Sequence, residues 1–258
     1  MITLGNTAVQ VQVDESSGGR VASLVVGGVE RLLTRPETDG APMAWGSYPM
    51  VPWAGRVRRG RFAFEGRTYE LPLGMAPHAI HGTVYDQPWV VDVVSGEAAL
   101  LRCDLGPAWP WAGMVEHSVA LTDDSLVCRL TVRSAGEPFP AQVGWHPWFT
   151  DAGRPPELAI AFEAMHQRDD DFIATALLVE ARPHPWDDCF VGVEQPVRVR
   201  YRDGVELALT SDCSHWVVYE PEHALCVEPQ SGPPDGFALA PLVVTPDEPL
   251  TRTLTIRW

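Results

Sequence analysis

The stretch Val197-Arg-Val-Arg-Tyr-Arg-Asp-Gly-Val-Glu-Leu-Ala-Leu-Thr210 decides the fold class. Val197 to Arg202 and Val205 to Thr210 alternate apolar and polar residues with period two, the pattern of a strand that buries one face. Asp203-Gly204 stands between them, and both residue types tolerate positive φ, which makes this pair the best type I′ hairpin turn in the chain. The same strand, turn, strand pattern recurs on either side. Arg61 to Phe64 and Thr68 to Leu71 flank Glu65-Gly66, while Val115 to Thr122 and Leu126 to Arg133 flank Asp123-Asp124-Ser125. Near the start, Val9, Val11 and Val13 share a face, Gly18-Gly19 turns the chain, and Val21 to Val26 returns beside them. Leu250 to Trp258 reads as a closing strand.

No long helical period appears, and 24 Pro with 22 Gly punctuate the chain too often to allow one. A parallel α/β sheet needs crossover helices between its strands, and there is no place for them. The expected class is therefore all-β: large antiparallel sheets packed face to face as a sandwich, in one domain covering residues 1–258. Asp151 to Pro156 and Ala181 to Trp186 read as long loops.

The composition narrows the function. A hydrophobic fraction of 45%, with 10 Trp and 8 Phe, supports a sizeable core, and no apolar run approaches the length that spans a bilayer. A net charge of −15 argues against nucleic acid, whose recognition rests on a basic footprint. The short cluster Arg56, Arg58, Arg59 and Arg61 has a solvated strand face as its simplest explanation. Five cysteines, with no Cys-x-x-Cys pair and mostly in apolar runs, read as reduced, buried thiols. The opening residues lack the basic start and apolar core of an export signal, so a cytoplasmic protein is expected, with a small neutral ligand as its partner.

Candidate chemistry collects in a few places. Glu228 ends the apolar run Leu225-Cys-Val and is followed by Pro229, Gly232, Pro233 and Pro234, so the backbone is expected to leave its sheet just after the carboxylate and to hold it rigidly within reach. His146 lies in Gly144-Trp-His-Pro-Trp-Phe149, and Pro147 forces it into an extended segment between two indoles. His78 and His81 frame a loop bounded by Pro77 and Gly82, and Asp187-Asp188 follows the loop Pro183-His-Pro-Trp186. The pair Asp187 and Glu228 also has the makings of a glycosidase site. A cupin-like metal site is the competing use of these histidines, but the spacing of His78, His81 and Glu228 matches no local ligand motif. Trp45, Trp53, Trp145, Trp148 and Trp216 lie close to these motifs, as core residues or as platforms for a sugar ring.

Taken together, Pro52-Trp-Ala-Gly-Arg56 with Gly60-Arg-Phe, Pro77-His-Ala-Ile-His-Gly82, Gly144-Trp-His-Pro-Trp-Phe149, Asp187-Asp-Cys-Phe190 and Cys226-Val-Glu-Pro-Gln-Ser-Gly-Pro-Pro-Asp235 resemble the aldose 1-epimerase (galactose mutarotase) family in order and spacing along nearly the whole chain. The resemblance implies the galactose mutarotase-like supersandwich, with a sugar cleft open to solvent and a monosaccharide substrate. It implies Glu228 as general base, His146 as general acid, and Arg56, His81 and Asp187 as ligands of sugar hydroxyls. Between the two adjacent acids, Asp187 is preferred to Asp188 because it stands three residues before Phe190. Gly55 departs from the Asn that family members commonly carry before the arginine, which leaves sugar specificity open.

The chemistry is consistent with that implication. Anomer exchange needs one base for the C1 hydroxyl and one acid for the ring oxygen, so no cofactor and no metal is called for. The resting pair is expected as ionised Glu228 facing protonated His146. A non-catalytic sugar-binding module and a hexose 6-phosphate epimerase are the alternatives, the first motivated by Gly55 and the second by the arginine cluster.

Overall fold

The computed structural model describes residues 1–5, 9–35 and 39–258. The larger of the two main antiparallel sheets, which three two-stranded ribbons accompany, runs from edge to edge through Ile2–Gly5, Val9–Asp14, Arg20–Val26, Ser47–Met50, Gly144–Phe149, Leu225–Gln230, His215–Tyr219, Asp187–Val191, Ala164–Arg168 and Ala174–Val179, with Val29–Glu30 paired beside Arg20–Val26. The smaller runs through Val90–Val94, Ala98–Asp104, Gly113–Leu121, Ser125–Ser134, Leu250–Arg257, Glu206–Ser211, Val197–Arg200 and Glu157–Ala159. Both were expected from the alternation. One face of each sheet meets the other in a shared apolar core: Val11, Val13 and Leu24 from the larger sheet cluster with Leu101, Val115, Leu130, Leu209 and Leu254 from the smaller. Helix is confined to short turns such as Gly236–Leu239, and among the described residues no helix is long and apolar enough to cross a membrane.

The closing strand is not at an edge. Leu250–Arg257 lies between Ser125–Ser134 and Glu206–Ser211, paired with both, and so joins the two halves of the smaller sheet. The five cysteines are all free and buried, as expected.

Two local expectations are corrected. Asp203-Gly204 does not form the type I′ turn. Arg200 pairs with Glu206, five residues intervene, and of these only Gly204 takes positive φ (89°). The Asp203 carboxylate accepts the Val205 N–H at 3.1 Å and a bond from the Arg31 guanidinium at 2.7 Å, and these contacts fix a longer loop closed by the Tyr201 N–H donating to the Val205 carbonyl. Two-residue turns with both positions at positive φ are instead Glu65-Gly66 (48° and 75°), which closes Phe64 against Arg67, and Gly27-Gly28 (63° and 77°), which closes Val26 against Val29.

The second correction concerns Glu228. Its strand does not end there but continues through Pro229, opposite Trp216, to Gln230, opposite His215, in the middle of the larger sheet. The ladder to Gly144–Phe149 is registered at Gly144 with Gln230 and again at Trp148 with Cys226, and it is open between them. Pro147 and Pro229 fall in that open stretch, where a missing N–H costs no ladder bond.

One polar group crosses the core. His117, on Gly113–Leu121 of the smaller sheet, is fully buried; its Nδ1–H donates to the Gly19 carbonyl at 2.9 Å, and its Nε2 accepts from Trp145 Nε1 at 3.4 Å. Both ring nitrogens are thereby committed in the neutral tautomer, and burial pushes the imidazole pKa down to about 4. An unfolded chain takes up this proton near pH 6.5, so stability falls as pH drops from 6.5 towards 4, by roughly 3 kcal/mol for this residue. Urea unfolding across that window is expected to show a slope that His117→Gln reduces by about 1.4 kcal/mol per pH unit. An unchanged slope in the variant would place the proton uptake elsewhere.

Candidate active site

The central strands of the larger sheet are buried on both faces, and their alternation sorts side chains between two environments. Trp145, Phe149, Leu225, Val227, Trp216, Val218 and Phe190 enter the core between the sheets. Tyr48, His146, Trp148, Glu228, Val217, Tyr219, Asp187 and Cys189 line a cavity of about 360 Å³ on the opposite face. Register turns this into a row. Tyr48 is opposite His146, Glu228 opposite Val217, and Val217 opposite Cys189, while the pairs Gly144 with Gln230 and Trp148 with Cys226 bracket His146 against Glu228. Sequence separation hides this adjacency, and strand pairing creates it.

His146 Nε2 lies 3.2 Å from Glu228 Oε1, with both residues about 95% or more buried. Gln230, two residues along the same strand and therefore on the same face, donates from Nε2 to Glu228 Oε2 at 3.1 Å. The imidazole is stacked between Tyr48 (centroids 4.8 Å, planes at 21°) and Trp148 (5.2 Å, 17°), and His81 meets it edge-on at 5.1 Å. Burial, reinforced by the charge of Asp187, raises the Glu228 carboxyl well above its ordinary range, and burial pushes His146 down to about 3. This reverses the protonation expected from sequence. Burial favours a carboxylic acid beside a neutral imidazole, because it removes the solvation of either charge.

Asp187 faces the cleft and takes Arg56 Nη2 at 3.3 Å and Arg168 Nη1 at 3.6 Å. Asp188, next in the strand, is held by Arg182 at 3.0 Å and Arg168 at 3.5 Å. His81 sits at positive φ (57°), with its backbone N–H donating to the Gly55 carbonyl at 3.1 Å and its buried Nδ1 lacking a partner. Such a backbone is uncommon outside glycine and concentrates at functional sites. Gly55 is at φ 70°, and a Cβ there would stand 3.1 Å from Pro234 Cβ and Cγ, so the ring of Pro234 occupies the space an asparagine would need.

Of the four clustered arginines, Arg56 alone lines the cavity. Arg58 is engaged by Asp169 at 2.6 Å, with Asp171 and Asp235 nearby, and Arg61 by Glu70 at 2.6 Å. Arg59 donates its backbone N–H to His78 Nδ1, which makes His78 a packing residue. Trp148 lines the cavity, whereas Trp53, Trp145 and Trp216 belong to the core and Trp45 lies under the Arg20 guanidinium at 4.2 Å.

Sequence reading overlooked Tyr48, Arg168, His166 and Gln230, all of which line the cavity. The i+2 spacing from Glu228 would have found Gln230; the others reach the site only through strand order.

An aldose 1-epimerase family model matches residues 1–251. The chain is 28% identical to the uncharacterized protein YphB of Escherichia coli (strain K12) over 154 residues, 57% of this chain and 51% of that protein. It is 24% identical to galactose mutarotase of Mus musculus over 199 residues, 72% of this chain and 56% of that protein. The chain thus spans about half the length of the curated relatives it matches. Among solved structures, a GalM/aldose epimerase homologue from C. elegans superposes with a TM-score of 0.85 at 13% identity, covering 99% of this chain and 97% of that one. A galactose mutarotase-like protein from Clostridium acetobutylicum gives 0.83 at 17%, covering 98% and 93%. The sheet order, the cleft and a family match running from residue 1 to residue 251 lead to one assignment: the chain belongs to the aldose 1-epimerase family.

Proposed function

We propose that this protein interconverts the α and β anomers of an aldose, with Glu228 as base and His146 as acid. The observation that carries this reading is the 3.2 Å contact between an imidazole and a carboxylate in a cleft that shields both from water. In ring opening, Glu228 takes the C1 hydroxyl proton while His146 Nε2–H protonates the ring oxygen and the bond from C1 to that oxygen breaks. The products are an open aldehyde, a carboxylic acid and a neutral imidazole. After rotation about the C1–C2 bond, the C5 hydroxyl returns its proton to His146 and attacks the other face of the carbonyl, whose oxygen recovers the proton from Glu228.

Burial favours the same protonation that the pair holds when the sugar is open. The two forms of the pair differ only in the position of one proton, and a bound sugar, whose hydroxyls hydrogen-bond the carboxylate, favours the charged form. Arg56, Asp187 and His81 bind hydroxyls along the cleft. With Arg58 and Arg61 engaged by carboxylates outside the cavity, a free aldose fits better than its phosphate.

Polarimetry of fresh α-glucose or α-galactose is expected to show that Glu228→Gln and His146→Gln each lower kcat by about 10²–10⁴-fold; undiminished rates in Glu228→Gln would remove the assignment. Asp187→Asn is expected to raise KM by about tenfold, the loss of a hydrogen bond to a charged group, and hexose 6-phosphate to show no advantage over the free hexose. Because His146 is pushed down to about 3 and Glu228 upward, the one-proton pair persists across neutrality. kcat/KM is therefore expected to be flat between about pH 5.5 and 7.5, and an inflection near 6.5 would show an imidazole titrating as it does in water.

A further inference from the structure

A histidine that transfers protons is ordinarily oriented by a hydrogen bond at its second ring nitrogen. His146 has none of that kind: Nδ1 is buried and has no partner outside its own residue. The contact with Glu228 holds the ring from one atom only, and turning about the Cβ–Cγ bond would swing Nε2 away and bring Cε1 towards its place.

The stacking restrains that turn. Tyr48 and Trp148 lie nearly parallel to the imidazole, at 21° and 17°, with centroids 4.8 and 5.2 Å away. Both are fixed by the same pairing that places His146. Tyr48 stands directly opposite it on the neighbouring strand, and Trp148 follows two residues later on its own strand. Neither flanking ring is occupied through its heteroatom: Tyr48 Oη and Trp148 Nε1 are buried and make no hydrogen bond, so what each offers His146 is a ring face. The stack extends outward. The Arg20 guanidinium lies 5.2 Å from the Tyr48 ring and is tied to the carbonyls of Ser17, Trp45 and Tyr85, and the His223 ring lies over Trp148 at 6.0 Å and 16°. His81, edge-on to both His146 and Tyr48, closes the remaining side.

We propose that Tyr48 and Trp148 are positioning residues, clamping the His146 imidazole between two ring faces in place of the missing Nδ1 hydrogen bond. The clamp permits the ring to carry a proton, since aromatic faces accept a cation, while denying it rotation. This proposal rests on the reading of His146 as the acid.

The test uses the full chain with Tyr48→Leu and Trp148→Leu beside Tyr48→Phe and Trp148→Phe. Each leucine variant is expected to lower kcat by about 10- to 100-fold, the effect of a misaligned acid, with KM within about twofold, and each phenylalanine variant to recover most of that loss. Proton NMR of the substrate-free protein provides a readout independent of turnover. The His146 ring protons should be shifted upfield by the flanking rings, should move downfield in the leucine variants and should stay near their native position in the phenylalanine variants. Equal losses in leucine and phenylalanine variants, a loss confined to KM, or unmoved His146 ring protons would each overturn the clamp. Should Tyr48→Leu fail to fold, Trp148→Leu, whose side chain lies nearer the rim, decides the matter alone. If His146→Gln exchanges anomers as fast as the native protein, the acid assignment falls, and the NMR signature still reports whether the rings hold the imidazole.

Discussion

The two-residue period of three neighbouring strands, Ser47–Met50, Gly144–Phe149 and Leu225–Gln230, is the constraint on which the rest depends. These strands are buried on both faces, so each successive side chain belongs either to the apolar core or to the cleft. A slip of one residue would send Trp145 and Val227 into the cleft and bury His146 and Glu228 among hydrocarbon, at the cost of two desolvated polar groups and two displaced core residues. The core therefore enforces the geometry of the cleft without touching it. Trp145, Phe149, Leu225 and Val227 hold the register, and the register holds His146 and Glu228 3.2 Å apart.

The electrostatics follow from the same burial. Around His146 and Glu228 the protein offers ring faces, one amide and an edge-on imidazole, all neutral, and so both ionisable groups are driven towards their uncharged forms. Charge is kept one step away, where Asp187 is matched by Arg56 and Arg168. A cleft divided in this way sets a buried imidazole and carboxyl beside a separate ion pair. The division arises because Asp187 lies nearer the sheet edge than Glu228, on a strand that Ala164–Arg168 and its arginine flank.

What was legible in the sequence was whatever depends on neighbours in the chain. Alternation marked the hairpins that build much of the smaller sheet and the first strands of the larger, and His146, Glu228 and Asp187 stood out because proline, glycine or tryptophan surrounds them, whereas the cleft strands Ser47–Met50, Ala164–Arg168 and Asp187–Val191 carry no such pattern. Errors arose where distant residues decide. The Asp203-Gly204 turn takes a longer form because Arg31, 172 positions earlier, binds the Asp203 carboxylate. The strand survives Pro229 because the partner ladder is open at that point. The resting protonation could not be read because it depends on how completely Tyr48, Trp148 and His81 exclude water, and only strand order brings those residues to His146. Tyr48, Arg168 and His166 belong to no local motif, and their place at the cleft is a property of the topology.

The position of Leu250–Arg257 bears on how the molecule is made. Ser125–Ser134 and Glu206–Ser211 do not pair with each other and meet only through this later segment. On the ribosome, both must emerge and wait, each with an unsatisfied ladder edge, until the segment between them has been translated. Contacts so remote in sequence fold slowly, and an exposed edge invites pairing with other chains. The hazard of misassembly thus lasts until Leu250–Arg257 has docked between the two edges.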